Sequence, residues 1–374
     1  MRLALPSLIL VAYICISLIW WLPCRGWIKT VSSIVLVAIS LKYLIYERIG
    51  GSFIAPDFPP FVLLSLEFLY STLVILVFVL MLKDLILIGV LISRLWGSSW
   101  QLPYTPALRA GVYVCTALAL AFYATWQSVR VPDVQTREIS FAGLPKELDG
   151  FTIVQLSDLH IGLILKRAWL SEVVRKTNAV NADLVVLTGD MIDGQPDALE
   201  EEIAPLRELR AKHGVYGITG NHEYYFGAHA WIPVFERLGI TMLSNDFRSF
   251  SVQGTPLILA GVPDSAARHF GEDGPDPVLF QKLPEGFHLL LQHRPAPISK
   301  ESKIDLQLSG HTHGGHLFFL KWLIGSFNGN LVGGLYDFAG SKLYITPGTG
   351  VWAGFSTRLG VPAEITRIVL RHQS

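Results

Sequence analysis

The chain has 374 residues, of which 51% are hydrophobic and 16% charged, against roughly a quarter charged in ordinary globular chains. Its zero net charge conceals two unlike parts: 9 basic and 4 acidic residues up to Arg130, then 21 basic and 26 acidic residues from Val131 onward. The acidic second part has no basic stripe, which argues against a nucleic-acid substrate. All three cysteines precede residue 116, which excludes a disulfide or a thiolate metal site in the second part.

Two uncharged runs in the first 130 residues are long enough to cross a membrane. Leu3–Leu22 and Ala110–Val129 each contain twenty residues without a charge, and a helix of about that length spans the hydrocarbon layer. A cleaved signal peptide would account for the first run but not for the later one. A buried helical core is the alternative that their length disfavours.

Two further apolar runs contain a charged residue each. Val31–Tyr46 holds Lys42, which we expect to reach the membrane surface from a helix end. Phe58–Leu82 holds Glu67, and another apolar run, Leu85–Ser93, follows it closely. Four spans is the count that these runs favour, with three or five as alternatives. We therefore predict a transmembrane region over residues 1–130 in the cell membrane, with the side of the second part undetermined because the basic residues divide evenly between the loops.

Short apolar strands alternate with helical stretches after residue 131, which is typical of an α/β layered domain. The predicted strands are Thr152–Leu156, Asp183–Leu187, Val215–Ile218, Phe287–Leu291 and Leu306–Leu308. The predicted helices between them are Lys166–Ala179 and Pro196–Leu209.

Each predicted strand ends in side chains that bind metal ions. In chain order these are Asp158 and His160, Asp190, Asn221 and His222, His293, and finally His311 and His313. Ligands bind at the carboxyl ends of strands in open α/β sheets, because several loops converge there. Carboxylate, imidazole and amide oxygen suit ions such as Mn, Fe or Zn, and the absence of sulfur argues against a structural zinc site. One such strand end would indicate only a turn, whereas five predict a metal centre.

Spacing supports this interpretation. Asp158 and His160 are two residues apart, so on an extended segment both side chains would point to one side and reach a single ion. His311 and His313 are flanked by glycines that allow the backbone to turn tightly.

The same residues carry a family resemblance over about residues 150–315. The blocks that begin at Asp158, Gly189, Gly220, His293 and Gly310 resemble, in order, the five motifs of calcineurin-like metallophosphoesterases. The family fold is a pair of packed β-sheets flanked by helices. We therefore expect an N-terminal α-helical membrane domain over 1–130 and an α/β metallophosphoesterase domain over 131–374.

The resemblance implies two divalent ions, of which Mn, Fe and Zn are candidates. One ion would be bound by Asp158, His160, Asp190 and His313. The other would be bound by Asp190, Asn221, His293 and His311, with Asp190 bridging the two. His222 would face the leaving group as a general acid or would stabilise charge in the transition state. Two cations roughly 3.5–4 Å apart can polarise a phosphoryl group and activate a water molecule at neutral pH.

Several neighbouring residues are interpreted differently. Asp193 and Glu223 are expected to orient other groups rather than bind an ion. His316 stands where family members usually carry Gln, and a substrate contact or a hydrogen bond to the backbone are equally open for it. Arg294 and Arg358 have the geometry to bind phosphate oxygens, although a surface ion pair is the favoured interpretation of each. His316 and Arg294 are thus the candidate substrate contacts. The remaining histidines are expected to be structural or exposed: His213, His229, His269, His288 and His372.

The substrate class is suggested by two C-terminal segments. Tyr344–Gly350 and Arg358–Ile365 resemble membrane-associated metallophosphoesterases, a subgroup that includes enzymes hydrolysing UDP-2,3-diacylglucosamine. A membrane anchor also raises the effective concentration of a site near a lipid-borne substrate. The favoured function is therefore hydrolysis of a phosphodiester or pyrophosphate bond carried by a lipid or an envelope precursor, with membrane lipids as partners and no obligate protein partner. An anchor that serves only to place the enzyme in a compartment is an equally open interpretation.

Two other classes of function compete with hydrolysis. One is a non-catalytic metal-binding membrane scaffold or receptor, which would be expected to have lost catalytic positions that this chain retains. The other is transport, for which Glu67 and the Lys83–Asp84 pair would be the only support.

Overall fold

The computed structural model describes residues 4–299, 302–338 and 340–373, which form two compact units. The first, called the helical unit, contains the described residues up to Trp126 together with Gly354–Thr357. The second, called the sheet unit, contains Gln127–Ala353 and the described residues from Arg358 onward.

The helical unit is built from apolar helices. Their bounds are α1 Ala4–Ser17, α2 Gly26–Ser40, α3 Lys42–Arg48, α4 Pro60–Leu95 and α5 Pro106–Val129. Three helical stretches of the described chain are long and apolar enough to cross a membrane: Ala4–Trp21, α4 and α5. Helices α2 and α3, which meet at a bend of 51°, would form a fourth if they act as one span. The predicted four spans correspond to this upper count.

Helix α4 is longer than a single membrane crossing requires. Its 36 residues extend about 54 Å, against roughly 30 Å for the hydrocarbon layer. The apolar run Leu85–Ser93 lies within this helix. Leu85–Ser93 therefore belongs to the same helix as Phe61–Leu82 and is not a separate span. The described helices do not support the five-span alternative.

Lys42, the charged residue of the apolar run Val31–Tyr46, is buried. The expectation that it reaches the membrane surface is therefore wrong. Its Nζ atom lies 2.7 Å from Oε1 of Glu67 and donates a hydrogen bond to the carbonyl of Gly354 at 3.0 Å. The Tyr46 hydroxyl donates to the same Glu67 oxygen, and the backbone N–H of Ser356 donates to the other. A buried charge is costly unless it is paired and hydrogen-bonded. The pairing of Lys42 with Glu67 explains why both are tolerated among apolar helices.

The second charged pair of the helical unit also has partners. Lys83 lies 2.6 Å from Asp84 and donates to the Ser17 hydroxyl at 2.7 Å. Asp84 accepts hydrogen bonds from Tyr13 and Ser17 at 2.6 and 2.7 Å. The charges that suggested transport thus have structural roles within this unit.

The sheet unit contains two six-stranded sheets. The strands of the first sheet are β1 Asp133–Phe141, β2 Thr152–Leu156, β3 Leu184–Thr188, β4 Val215–Ile218, β5 Thr241–Met242 and β12 Glu364–His372. The strands of the second are β6 Asp246–Val252, β7 Thr255–Gly261, β8 Phe287–Leu291, β9 Leu306–Ser309, β10 Gly334–Phe338 and β11 Ser341–Ile345. The spatial orders are β1-β12-β2-β3-β4-β5 and β10-β11-β9-β8-β7-β6.

Parallel pairing fixes where the functional loops emerge. Strands β2, β3 and β4 pair in parallel in the first sheet, as do β7, β8 and β9 in the second. Within each set the carboxyl ends therefore lie at one edge, which brings residues distant in sequence together.

The helices of this unit are α6 Arg167–Asn178, α7 Pro196–Ile203, α8 Asn221–Tyr225, α9 Ala228–Arg237, α10 Val278–Lys282 and α11 Lys321–Phe327. Helices α6, α7 and α9 pack against the first sheet, and α10 packs against the second. Helix α6 matches its prediction within one residue at each end. The predicted helix Pro196–Leu209 ends as an α-helix at Ile203 and continues as a 3₁₀-helix over Ala204–Glu208. Pro205 explains this change, because proline removes an N–H donor and clashes with the preceding turn of an α-helix.

The core is layered. Between the sheets, Ile153 and Val186 of the first belong to one buried cluster with Leu259 and Leu289 of the second. On the outer face of the first sheet, Val154, Val185, Leu170, Trp231 and Phe235 form a second cluster. On the outer face of the second sheet, Leu290 and Ile345 cluster with Leu279 of α10. Burial on both faces accounts for the apolar runs in the sequence. The predicted architecture, two packed sheets flanked by helices, is confirmed.

Candidate metal centre

The carboxyl ends of five buried strands converge on one site. The residues that follow these strands are Asp158 and His160 after β2, Asp190 after β3, Asn221 and His222 after β4, His293 after β8, and His311 and His313 after β9. All of them are buried except His311, which is partly exposed.

Two groups of these side chains are compact enough to hold one cation each. Asp158, His160 and His313 offer ligand atoms that all lie within 4.8 Å of one another, and so do Asp190, His293 and His311. In the first group, Nε2 of His313 is 3.6 Å from Oδ1 of Asp158 and 3.2 Å from Nε2 of His160. Carboxylate oxygens and imidazole nitrogens at such separations form a typical donor set for a divalent transition metal.

Asp190 connects the two groups. Its Oδ2 atom lies 3.2 Å from Nε2 of His293 in one group and 3.9 Å from Nε2 of His160 in the other. The same oxygen is 3.9 Å from Nε2 of His222. One carboxylate oxygen therefore faces both groups and the neighbouring histidine.

Among the expected ion ligands, the buried Oδ1 atom of Asn221 has no hydrogen-bond partner within the described residues. Nε2 of His293 lies 3.2 Å from Oδ2 of Asp190. Burial without a partner is costly for polar atoms, and most of them are satisfied in folded proteins. A buried amide oxygen left in this way fits a site whose ligands include a cation.

Asp193 orients two of the histidines. Its Oδ1 atom lies 2.9 Å from Nδ1 of His160 and 2.6 Å from Nδ1 of His222. Burial alone would raise the pKa of Asp193, but these two histidines lower it to about 2. With Nδ1 of each ring hydrogen-bonded to Asp193, the Nε2 atoms are directed toward the site, which is the usual arrangement behind metal-binding histidines.

Glu223 fixes the loop that carries Asp190. Its Oε2 atom accepts hydrogen bonds from the backbone N–H groups of Asp190 and Gly220, and Oε1 accepts one from Met191. Burial, together with the charge of Asp190, raises the pKa of Glu223 to about 7. Glu223 therefore ties the end of β3 to the start of α8.

The histidines of the site fall into two groups according to the direction in which their pKa is shifted. Burial alone would lower the pKa of His222 and of His293, but Asp190 and its neighbours raise these values to about 9 and about 10. Burial and neighbouring positive groups hold the pKa of His311 and His313 well below the usual value. At neutral pH, in the protein without ions, His222 and His293 are therefore doubly protonated and positively charged, while His311 and His313 are neutral.

The backbone at the site is left-handed at many non-glycine positions. The φ angles are 53° at Asp158, 47° at His160, 54° at Asp190, 70° at His311 and 48° at His313. The expectation of an extended segment at Asp158 and His160 is therefore wrong. Left-handed conformations are unfavourable for residues with a Cβ atom, and they concentrate at functional sites where the surrounding fold enforces them.

Glycines make room for the ligands. A Cβ atom on Gly310 would lie 2.0 Å from Oγ of Ser157 and 2.3 Å from Oδ2 of Asp158. A Cβ atom on Gly220 would lie 2.2 Å from Oδ1 of Asp190. Only glycine allows the backbone to approach these carboxylates so closely.

Comparison with known proteins decides the family. The family model for calcineurin-like phosphoesterases matches residues 151–315. A zebrafish (Danio rerio) transmembrane protein with metallophosphoesterase domain is 32% identical over 327 residues, covering 83% of this chain and 73% of the relative. The chain belongs to the calcineurin-like phosphoesterase family. It is therefore a metal-dependent phosphoester hydrolase and, with its apolar helices, an integral membrane protein.

Other relatives agree with this assignment. The bovine (Bos taurus) transmembrane protein with metallophosphoesterase domain is 33% identical, covering 71% of this chain and 63% of the relative. An uncharacterised metallophosphoesterase of Helicobacter pylori is 31% identical, with 70% of each chain covered. The resemblance seen in the sequence motifs is thus confirmed, and the sheet unit is called the phosphoesterase unit below.

Arg358 of the phosphoesterase unit is buried, so the expected surface ion pair is wrong. Its Nη2 atom donates to the carbonyls of Pro347 and Gly350 at 2.8 and 2.7 Å, and it lies 3.1 Å from Nδ1 of His313. Burial lowers the pKa of Arg358 to about 10. Arg358 therefore connects His313 to the backbone of Pro347 and Gly350.

The two candidate substrate contacts differ. His316 is buried, and its ring stacks on that of His313 with centroids 4.7 Å apart. The Nε atom of Arg294 lies 3.1 Å from both carboxylate oxygens of the buried Asp264. Arg294 thus forms an ion pair, as the sequence interpretation favoured, but with a buried partner.

Aromatic residues that the motifs did not indicate surround His222. Its ring lies 5.3 Å from that of Tyr225 and 6.1 Å from that of Trp352, measured between centroids. Tyr225 follows the third motif by two residues, but nothing in the sequence pattern points to Trp352. These rings give His222 an apolar wall at the side of the site.

The remaining histidines have structural contacts or are exposed. His372 lies 2.6 Å from the carbonyl of Leu144, and His288 lies 2.8 Å from that of Pro284. His229 is exposed. In the described part of the chain, none of the candidate metal groups includes His213, His229, His269, His288 or His372.

Proposed function

We propose that this protein is a membrane-anchored dinuclear phosphoesterase that hydrolyses a phosphodiester or pyrophosphate bond of a lipid-linked substrate. The observation that carries the dinuclear part is the position of Asp190 Oδ2, which lies 3.2 Å from His293 and 3.9 Å from His160. A carboxylate so placed is suited to bridge two ions.

The proposed ligand sets follow the two groups. Asp158, His160, Asp190 and His313 would hold one ion, and Asp190, Asn221, His293 and His311 would hold the other. The nitrogen and oxygen donors fit Mn, Fe or Zn. Two such ions, when bound, polarise a phosphoryl group and activate water for in-line attack.

His222 is the proposed catalytic residue. Asp193 is hydrogen-bonded to its Nδ1 atom at 2.6 Å, which leaves Nε2 directed toward the site, 3.9 Å from Asp190. In the protein without ions, burial would lower the pKa of His222, but Asp190 and Asp193 raise it to about 9. A proton on Nε2 can be donated to the departing oxygen or can stabilise charge on the phosphoryl group.

The proposed substrate class follows from the anchor. The chain has helices apolar enough to cross a membrane, and tethering raises the local concentration of an enzyme relative to substrates held in the same bilayer. An amphiphilic phosphodiester or pyrophosphate such as UDP-2,3-diacylglucosamine fits this arrangement.

The test uses the full-length protein in nanodiscs, stripped of metal and reloaded with Mn. Turnover is measured on bis-p-nitrophenyl phosphate, p-nitrophenyl phosphate and UDP-2,3-diacylglucosamine. We expect Mn-dependent cleavage of the diester and the lipid, with much slower cleavage of the monoester.

The control variants separate chemistry from folding. Asp190→Asn should abolish turnover, whereas Asp246→Asn, which removes an exposed carboxylate paired with Arg248, should leave it unchanged. Absence of turnover on all three esters by folded, Mn-loaded protein would contradict the proposed function and support a metal-binding scaffold instead.

A further inference from the structure

We propose that the phosphoesterase unit has its own bilayer-contact surface, formed by Phe318, Trp322, Leu323, Phe327 and Leu335 and called the aromatic patch here. The first four residues lie within ten consecutive positions, in a 3₁₀-turn over Phe318–Leu320 and in helix α11. This patch contains none of the proposed metal ligands.

The exposure of these side chains is unusual for a packed domain. Phe327 is 79% exposed and Trp322 73%, while Phe318 and Leu335 are each 49% exposed. Large contiguous apolar patches on soluble surfaces mark sites of interaction with proteins, ligands or membranes. The helical stretch Phe318–Phe327 is apolar, although it is too short to cross a membrane.

The composition favours a lipid surface as the occupant. Phe and Trp side chains are characteristic of helices that lie in the membrane interface, where basic side chains accompany them. Lys321 is exposed within the same stretch, and a lysine can bury its stem while its charge stays among the lipid headgroups. Helix α7 offers a contrast, because its exposed positions include Glu200 and Glu201.

Chain connectivity keeps a bilayer within reach. Helix α5 ends at Val129 and strand β1 begins at Asp133. The three intervening residues extend the chain by no more than about 14 Å between these ends. The phosphoesterase unit is therefore always tethered close to the membrane that contains α5. A separate protein partner would have no such tether, which favours lipid as the occupant of the patch.

The patch is joined to the proposed metal site through the loop that precedes it. His316, whose ring stacks on that of His313, is two residues before Phe318. A cleft of about 550 Å³ is lined by Gly314, next to His313, and by Lys321 and Leu335 from the patch region. A role of the patch in substrate delivery rests on the proposed function. In that role, the patch would let an amphiphile keep its acyl chains in the bilayer while its phosphate approaches the loop that carries His313.

The test of bilayer contact uses single-cysteine variants of the full-length chain. Cys15, Cys24 and Cys115, the native cysteines, are replaced by serine. Trp322→Cys or the matched control Glu201→Cys is then introduced and labelled with an environment-sensitive fluorophore. Glu201 is 88% exposed and lies on α7. Each labelled protein is placed, one copy per disc, in nanodiscs of phosphatidylcholine and phosphatidylglycerol with and without doxyl-labelled lipid.

We expect doxyl lipid to quench the label at position 322 by roughly half, because interfacial helices insert their apolar face about 5–10 Å into the bilayer. The label at position 201 should lose little intensity. Equal quenching at both positions would overturn the proposal. A blue-shifted label at 322 that doxyl lipid does not quench would also overturn it, since protein would then cover the patch. Phe327→Cys repeats the measurement if Trp322→Cys does not fold.

A second measurement addresses delivery of the substrate. Trp322→Ser combined with Phe327→Ser should lower turnover of vesicle-borne UDP-2,3-diacylglucosamine roughly tenfold, since loss of membrane presentation removes the gain in effective concentration. Turnover of bis-p-nitrophenyl phosphate should not change. Equal turnover of the lipid by variant and wild type would overturn the delivery role. Failure of the wild type to cleave any ester would contradict the proposed function instead, while the quenching contrast would still decide whether the patch contacts lipid.

Discussion

The Oδ1 atom of Asp193 lies 2.6 Å from Nδ1 of His222. The same oxygen lies 2.9 Å from Nδ1 of His160. One carboxylate therefore sets the orientation of a proposed ligand and of the proposed catalytic histidine, whose rings lie 4.5 Å apart between centroids. We therefore expect the orientation of the proposed ligand and proton donation by the proposed catalytic histidine to depend on the same carboxylate.

Replacing Asp193 with Asn should impair both functions together. Loss of such a supporting carboxylate typically costs about 10- to 100-fold in metal affinity or activity. We expect kcat to fall and the Kd for Mn to rise within that range, as measured by turnover and by Mn titration. Asp246→Asn is the matched control. A variant with unchanged kcat and unchanged Mn affinity would show that Asp193 does not position these rings.

Replacing His222 with Ala should separate chemistry from metal binding. The side chain contributes no ligand in the proposed sets, so metal content should be retained. Turnover should fall by about 10²- to 10⁴-fold, the usual contribution of a general acid. Elemental analysis and turnover on bis-p-nitrophenyl phosphate measure the two quantities. Loss of bound metal from this variant would contradict the assignment.

Metal binding should be accompanied by proton release. The pKa of His293 is raised to about 10 in the protein without ions, so Nε2 is protonated at neutral pH and must lose its proton to become a ligand. Below that pKa, apparent Mn affinity should rise about tenfold per pH unit for one displaced proton. Mn titrations at several pH values between 6.5 and 8.5 test this, with calorimetry in buffers of different ionisation enthalpy as a check. Affinity independent of pH would contradict the protonated state of His293.

The buried pair in the helical unit should be important for stability. Replacing Glu67 with Gln leaves Lys42 as an uncompensated buried charge, because the two lie 2.7 Å apart with almost no exposure. Breaking a buried pair in this way costs about 3–5 kcal/mol. The Tm of full-length protein in detergent should fall in Glu67→Gln. It should partly recover when Lys42→Met is combined with Glu67→Leu. Equal Tm values for wild type and Glu67→Gln would rule out this role.

The sequence predicted strand bounds best where a buried apolar strand ends at a metal-binding motif. Strands β2, β4 and β8 were predicted with the bounds that the structure has, because each is largely buried and ends at a motif. The two-sheet architecture followed from the family resemblance. Edge strands such as β6 and β10, which are largely exposed or half-buried, lack such a continuous apolar run.

Features that depend on tertiary packing were not predictable. Arg358 contacts His313 across 45 positions of sequence, so its burial has no local signal. The left-handed backbone at Asp158 and His160 is imposed by the surrounding fold, whereas local spacing suggested an extended segment. Lys42 lies near one end of its apolar run, and only the packing of Glu67 against it reveals an internal pair.

Asp190 is the residue at which a carboxylate shared by two ions can be tested. The metal content of wild-type protein and of Asp190→Asn, both in nanodiscs and equilibrated with Mn, is measured by elemental analysis after exhaustive removal of weakly bound ions. We expect two tightly bound ions in the wild type and loss of both together in the variant. Retention of two tightly bound ions in folded Asp190→Asn would contradict the shared ligand.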